Sequence, residues 1–276
     1  MAPPLLAASI TPLRDGGASL DEAAIAGLVA HLRAGGADGI FCCGTTGEGV
    51  MLTIDERQRA AAAFRAACDG ALIVHCGAQT TADTALLCGH AAAIGADGVA
   101  VIPPPYYPLS EQEQVEHFVA AAAACAPLPF YMYAFTGRSG YPLTIEVIDQ
   151  VRRRTPNLAG LKVSEQPFEV VAPYLELGLK VYVGNEPLVP QALAAGAYGS
   201  VSGLASAFPA DVARLLREPT DHNAERVAEL RAALGTTTFV AAVKQVLKNH
   251  GLPIETDMRA PLQPLSREHA ERIATL

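Results

Sequence analysis

The sequence predicts an α/β fold, a (β/α)8 TIM barrel with a helical C-terminal extension. Short apolar segments alternate with longer amphipathic ones, and residues 5–217 contain eight of each. Strands that are apolar on both faces and separated by single helices are typical of a parallel sheet, because the helices cover both faces. Eight such units favour a closed barrel. The alternative, an open doubly wound sheet, usually carries a glycine-rich turn after its first strand, and residues 9–17 contain no G-x-G-x-x-G pattern.

The boundaries of the predicted elements follow from where the apolar segments begin and end. The predicted strands are 5–10, 39–43, 71–76, 98–102, 129–134, 158–163, 179–183 and 198–202. The predicted helices are 21–34, 55–68, 81–94, 111–125, 144–154, 168–177, 187–195 and 207–217. Three more helices are predicted after residue 221. We therefore expect a barrel over residues 1–220 and an extension over residues 221–276 that packs on it within the same domain.

Local signals mark several helix ends. A capping box pairs a Ser or Thr before a helix with a Glu three residues later, and three segments fit it: Ser19 to Glu22, Thr53 to Glu56 and Ser110 to Glu113. A repeated Gly-Ala-x-Gly phrase precedes three strands, starting at Gly36, Gly95 and Gly196. We expect the first glycine of each phrase to end a helix in a left-handed turn.

Composition excludes several classes of protein. The net charge is −8 and the basic residues form no long stripe, so nucleic acid is not an expected partner. The six cysteines form no Cys-x-x-Cys pair and lie mostly in apolar runs, which disfavours disulfides and a zinc site. The N-terminus is not typical of a signal peptide, and no uninterrupted apolar run is long enough to cross a membrane. We expect a cytoplasmic protein without metal.

Lys162 is the strongest chemical signal. Barrel active sites lie at the C-terminal ends of the strands, and Lys162 lies there within the apolar segment Leu-Ala-Gly-Leu-Lys-Val-Ser. Burial disfavours a charged ammonium group, and a neutral amine can attack a ketone to form an imine. Alternatively, the side chain reaches solvent at the strand end or pairs with Glu48 or Glu186. The residues alone leave both interpretations open.

Three other strand ends carry polar groups that suit the same chemistry. The loop Gly44-Thr-Thr-Gly-Glu48 offers N–H groups and hydroxyls for a small carboxylate. A phenol at Tyr133 could shuttle a proton, and Arg138, in a glycine-flanked loop, could hold a second carboxylate. The same features also fit an ordinary turn, a core tyrosine and a solvated arginine. Tyr107 lies in a proline-rich loop that we expect to be stiff and exposed.

Taken together, these motifs resemble the dihydrodipicolinate synthase/N-acetylneuraminate lyase family of class I aldolases over nearly the whole chain. The matching features are Gly44-Thr-Thr-Gly-Glu48, Pro105-Tyr-Tyr107, Tyr133 five residues before Arg138, and Gly-Leu-Lys162. The resemblance implies that pyruvate forms an imine on Lys162, that Thr45 and Thr46 hold its carboxylate, and that Tyr133 moves protons. It implies no cofactor.

The resemblance also assigns further residues and an assembly. In the synthase branch Thr45, Tyr133 and Tyr107 would form a proton relay, in which Tyr107 would be supplied by a neighbouring subunit. Gly184 and Val201 would lie near the imine, and Arg138 would bind the carboxylate of the aldehyde substrate. Family members are commonly homotetramers built as dimers of dimers, so a homotetramer or homodimer is expected.

The sequence departs from the synthase pattern at two places. Ala134-Phe135-Thr136 replaces the usual Asn-Val-Pro, which leaves the second substrate open. The positions that match the lysine effector pocket of the family are Ile54, Arg57 and Gln79; none is His or Asn, so lysine feedback is not expected.

Three functions therefore remain under consideration. The first is a dihydrodipicolinate synthase-like lyase that condenses pyruvate with aspartate semialdehyde, which Arg138, Thr45 and Tyr107 favour. The second is an aldolase or dehydratase acting on a 2-oxo-3-deoxy sugar acid or a related 2-oxo-4-hydroxy acid. The third is a sensor that binds a 2-oxo acid without turnover.

Overall fold

The computed structural model describes residues 2–235, 238–274 and 276. Eight parallel strands close into a barrel in which each strand pairs with its neighbours in the sequence and the first pairs with the last. The strands are β1 (Leu5–Ala8), β2 (Gly39–Cys42), β3 (Ala71–His75), β4 (Gly98–Val101), β5 (Phe130–Ala134), β6 (Leu158–Val163), β7 (Lys180–Val183) and β8 (Gly199–Ser202). The predicted (β/α)8 barrel is confirmed.

Each strand is followed by a helix that covers the outside of the barrel, and β5 is followed first by an additional one-turn helix, Thr136–Ser139. The covering helices are α1 (Ala23–Ala34), α2 (Ile54–Ala67), α3 (Thr81–Ala93), α4 (Glu111–Cys125), α5 (Ile145–Arg154), α6 (Phe168–Leu175), α7 (Val189–Ala194) and α8 (Pro209–Arg217). The three helices predicted for the extension are confirmed as α9 (Asp221–Leu234), α10 (Phe239–Asn249) and α11 (Arg267–Arg272). No helix among the described residues is long and apolar enough to cross a bilayer.

Strand alternation places the candidate site. Successive side chains of a strand point to opposite faces, and one set fills the barrel interior: Leu6, Ala8, Phe41, Ile73, Ala100, Tyr131, Tyr182 and Val201. The other set packs under the helices as one large apolar cluster. Two residues beyond Ile73 and Tyr131, the inward positions are His75 and Tyr133, and Lys162 is in register with Tyr133. Polar side chains therefore form the layer nearest the C-terminal mouth.

Helix ends follow the predicted signals, with one exception. The capping boxes at Thr53 and Ser110 both form, and the left-handed glycines have φ values of 95° at Gly36, 74° at Gly95 and 96° at Gly196. The box predicted at Ser19 is wrong: the strand Ser19–Leu20 pairs with Leu13–Arg14 in a short hairpin. Because the backbone of Ser19 is used in that pairing, α1 begins only at Ala23, and the Asp21 carboxylate accepts the Ala24 N–H at 3.3 Å instead.

Candidate active site

Lys162 is buried in the upper layer of the barrel among aromatic rings. Lys162 is only 6% exposed. The amine lies 3.6 Å from the centre of the Tyr133 ring and 5.0 Å from that of Phe41. Aromatic faces attract a cation but do not neutralise it as a carboxylate would.

The alternative left open by the sequence, an ion pair of Lys162 with Glu48 or Glu186, does not form, because both carboxylates have other partners. Glu48 is 2.6 Å from the amine of Lys244, and Glu186 accepts a hydrogen bond of 2.7 Å from the Ser202 hydroxyl. Within the described part of the chain, Lys162 takes part in no ion pair.

Tyr133 stands directly beside this lysine. The two residues are register partners on β5 and β6, and Tyr133 is 1% exposed. Burial raises the pKa of the phenol, but the charge of Lys162 and the hydrogen-bonding groups of Lys162, Thr45 and Ser164 together bring the pKa below its usual value. The structure thus brings together three of the residues predicted for catalysis. Ser164 was missed, although its position two residues after Lys162 puts it on the same face of the chain.

The loop after β2 presents Thr45 and Thr46 at the mouth. Thr45 is exposed, while Thr46 is 8% exposed. The Thr11 hydroxyl donates a hydrogen bond of 2.7 Å to the Gly47 carbonyl and so holds the loop against the end of β1. The N–H groups of Thr45 and Thr46 have no acceptor among the described residues. Such free donors suit an anion.

Gly184 directly follows β7 at the C-terminal end of the barrel, and Val201 is the third residue of β8. Val201 is 1% exposed and belongs to the interior cluster. A Cβ atom at position 184 would collide with the Ser164 hydroxyl. Glycine is therefore required at this position as long as Ser164 keeps its place beside Tyr133.

Arg138 lies on a one-turn helix, Thr136–Ser139, and not in the loop that the sequence predicted. The N–H and hydroxyl of Thr136 donate hydrogen bonds of 2.7 and 2.9 Å to the buried carboxylate of Glu165. A proline, which is usual at this position of the synthase pattern, has no N–H to donate. Thr136 has one, and its hydrogen bonds to Glu165 fix the turn. Arg138 is exposed, with its guanidinium carbon 5.5 Å from the centre of the Phe135 ring.

Tyr107 is not brought to the lysine within this chain. It is 71% exposed, as expected for its loop, and packs edge-on against Tyr106 at 4.9 Å. Both Tyr107 and Gln79 line a surface cleft of about 840 Å³ whose lining residues do not include Lys162.

His75 was not predicted from the sequence, although it ends β3 at the C-terminal face of the barrel. It is 3% exposed and packs edge-on against Tyr133 at 5.9 Å. Its Nδ1 lies 3.1 Å from the Cys43 carbonyl oxygen, and its Nε2 has no partner in the described residues. Burial, followed by the charges of Arg57 and Lys162, lowers the pKa of His75 to about 3. The imidazole is therefore neutral at physiological pH.

The described residues contain no group of three or more His, Cys, Asp or Glu side chains placed to hold a metal ion. The six cysteines are free and buried.

Residues 3–276 match the model of the dihydrodipicolinate synthetase family. The chain belongs to this family. A 4-hydroxy-tetrahydrodipicolinate synthase from Thermus thermophilus is 32% identical over 275 residues, covering 95% of this chain and 91% of that protein. An N-acetylneuraminate lyase from Danio rerio is also 32% identical, over 289 residues that cover 98% of this chain and 94% of that protein.

Solved structures of family members agree with the fold. The N-acetylneuraminate lyase from Aliivibrio salmonicida superposes with a TM-score of 0.91 at 29% identity, covering 99% of this chain and 95% of that one. The N-acetylneuraminate lyase from Proteus mirabilis gives 0.89 at 27% identity, covering 99% and 96%. This family member is therefore a lyase of the class I aldolase type. The relatives carry both names, so membership does not by itself decide the substrate.

Proposed function

We propose that the enzyme binds pyruvate as an imine on Lys162 and uses the resulting enamine to make or break a carbon–carbon bond with an aldehyde. The observation that supports this most strongly is the Lys162 amine, free of any carboxylate and 3.6 Å from the centre of the Tyr133 ring in a buried layer. The reaction best supported is that of a 4-hydroxy-tetrahydrodipicolinate synthase, with pyruvate and aspartate semialdehyde as substrates.

The chemistry follows from the groups around the lysine. The neutral form of the Lys162 amine attacks C2 of pyruvate. The carbinolamine then takes up a proton and loses water, which gives a protonated imine that withdraws electrons from the methyl carbon. A methyl proton passes to a base or to water, and the enamine carbon attacks the aldehyde, whose oxygen takes up a proton. Hydrolysis of the product imine then returns the free amine of Lys162. Tyr133, whose pKa is lowered beside Lys162, moves the protons of carbinolamine formation and dehydration. The N–H groups and hydroxyls of Thr45 and Thr46 hold the pyruvate carboxylate, while Gly184 and Val201 leave room for the imine.

A proton relay of Thr45, Tyr133 and Tyr107 requires a second copy of the chain. Tyr106 and Tyr107 are 82% and 71% exposed, and large exposed aromatic side chains are typical of interaction surfaces. The proposed assembly is a homotetramer made of two such dimers, or the homodimer alone, in the cytoplasm. Lysine feedback is not part of the proposal, because the Arg57 guanidinium is already bound to the carbonyls of His75 and Gly77 at 2.8 and 2.9 Å.

An aldolase or dehydratase of 2-oxo-3-deoxy sugar acids is the second candidate. Arg138 favours the synthase over this candidate, because a guanidinium suits the carboxylate of aspartate semialdehyde. However, Glu165 places a negative charge beside the turn that carries Arg138, and a carboxylate accepts hydrogen bonds from sugar hydroxyls. Turnover of both substrate types by the same preparation separates the two reactions: faster cleavage or dehydration of a sugar acid would reject the synthase assignment.

Exchange of the pyruvate methyl protons tests the enamine itself and does not depend on the second substrate. We expect the protein in heavy water to replace these protons with deuterium, as followed by proton NMR, and a Lys162→Ala variant not to do so. A wild-type protein that binds pyruvate without exchange would instead be the third candidate, a sensor of 2-oxo acids.

A further inference from the structure

A buried ion pair joins the extension to the loop that carries Thr45 and Thr46. The Lys244 amine on α10 is 2.6 Å from a carboxylate oxygen of Glu48, and the two side chains are 0% and 1% exposed. The same amine donates to the Asp257 carbonyl at 2.6 Å. The other oxygen of Glu48 accepts the backbone N–H of Arg259 at 2.9 Å. A single carboxylate is thus held from two parts of the extension.

The backbone at Glu48 is in a conformation that needs such support. Its φ is 53°, in the left-handed region that residues other than glycine rarely adopt. Such conformations persist only where the surrounding structure fixes them. On the N-terminal side, the Thr11 hydroxyl fixes the Gly47 carbonyl. Thr45 and Thr46 therefore lie on a short segment whose C-terminal anchor is the bond between Glu48 and the extension.

Stability alone does not explain this pair. Burial lowers the pKa of Lys244, and the negative charge and hydrogen bond of Glu48 act in the opposite direction. Replacing both members of a buried ion pair with neutral groups is often neutral or even stabilising. A pair of this kind is better explained by the geometry that it fixes.

We propose that Lys244 is a positioning residue for pyruvate binding. Acting through Glu48, it holds the N–H groups of Thr45 and Thr46 where the pyruvate carboxylate binds, so that the extension sets the affinity of the barrel site. This rests on the proposed function, in which these donors bind that carboxylate. Lys244 touches no substrate and forms no imine.

The test compares single and double neutralisation of the pair. Borohydride trapping at a series of pyruvate concentrations, read by intact mass, gives the half-saturating concentration, and thermal melting reports stability. We expect Lys244→Met to lower the melting temperature and to raise half-saturation roughly tenfold or more, because a small misplacement of a binding group is costly. Trapping at saturating pyruvate should remain, since Lys162 is intact.

The double variant Glu48→Gln/Lys244→Met separates positioning from folding. Glutamine keeps an acceptor for the Arg259 N–H, and no charge is left buried, so we expect the melting temperature to recover while half-saturation stays raised. If Lys244→Met does not fold, the double variant alone still tests the proposal. The matched control is Lys248→Met, one turn along α10, which removes an exposed pair with Glu255 (side chains 46% and 59% exposed) and should change neither quantity.

Two results would overturn the inference, and they can be told apart. Wild-type half-saturation in the double variant would mean that the pair only stabilises the fold, and the imine proposal would stand. A wild-type protein that is never trapped, at any pyruvate concentration, would refute the proposed function and the positioning role with it.

Discussion

Lys162 and Tyr133 share one electrostatic environment at the mouth of the barrel. The amine lies over the ring of the tyrosine at 3.6 Å, and both side chains are largely removed from water. Charges interact strongly under such conditions because little solvent screens them. The positive charge of Lys162 therefore helps to hold the pKa of Tyr133 below its usual value in spite of burial. The phenol is prepared for proton transfer by the same residue that binds the substrate.

Removing that charge should raise the pKa of Tyr133. In a Lys162→Met variant burial still disfavours the phenolate, while the largest opposing contribution is lost. Carbon-13 NMR of labelled tyrosine measures the titration, and a Tyr133→Phe variant identifies the signal. An unchanged titration would show that the two groups are not coupled.

The tyrosine hydroxyl should matter for rate more than for binding. We expect Tyr133→Phe to lower kcat by about 10²- to 10⁴-fold, the usual contribution of a positioned acid–base group, while borohydride still traps pyruvate on Lys162. The control is Tyr131→Phe, one layer deeper on the same face of β5, which should keep wild-type kcat. Similar losses in both variants would argue against a specific role for Tyr133.

The short helix Thr136–Ser139 shows how an element can be fixed by a residue on a different strand end. The sequence predicted Arg138 in a glycine-flanked loop, because nothing local indicates a helix there. The contact that orders the turn runs from Thr136 to Glu165, 29 residues later. By contrast, the capping boxes at Thr53 and Ser110 were predictable, since each is complete within four residues.

Loss of the Glu165 carboxylate should affect only the second substrate. We expect Glu165→Ala to raise the KM for the aldehyde or sugar acid roughly tenfold, because the turn that orients Arg138 loses two hydrogen bonds worth about 1–3 kcal/mol together. Half-saturation by pyruvate should not change. Glu165→Gln, which keeps an acceptor, should recover most of the loss, and Glu169→Ala on the exposed face of α6 serves as the control. If Glu165→Ala raised half-saturation by pyruvate by a similar factor, Glu165 would not act on the second substrate alone.

Across the whole molecule, the barrel was predictable and its tertiary polar contacts were not. All eight strands were found from apolar segments, because the period-2 pattern of strands and the period-3.6 pattern of helices depend only on residues close together in the sequence. Lys244 was not among the residues predicted for the site. Its partner Glu48 is 196 residues away, and no local pattern reports a contact of that length. His75 could have been found, since it ends a strand at the face where active sites lie.

Buried histidines should make the fold sensitive to acid. Burial lowers the pKa of His117 to about 4, and the pKa of His75 is about 3, against an ordinary value of 6.5. Below pH 6.5 the unfolded chain binds these protons while the native protein does not, so stability falls as the pH falls. From pH 6.5 to 5 the free energy of unfolding should drop by roughly 1.5 kcal/mol for each of these histidines.

Urea unfolding at several pH values measures this slope. We expect His117→Gln to flatten it between pH 6.5 and 5, whereas His222→Gln, at an exposed position of α9, should keep the wild-type slope. An equal slope in all three proteins would show that His117 accepts a proton in the native state.

Reduction with borohydride in the presence of pyruvate, followed by peptide mass mapping, tests the central claim most directly. The chain has four lysines, so the site of modification can be assigned without ambiguity. We expect the reduced pyruvate adduct on the peptide that contains Lys162 and on no other. An adduct on Lys180, Lys244 or Lys248 instead, or none at all, would contradict the assignment of Lys162 as the imine-forming residue.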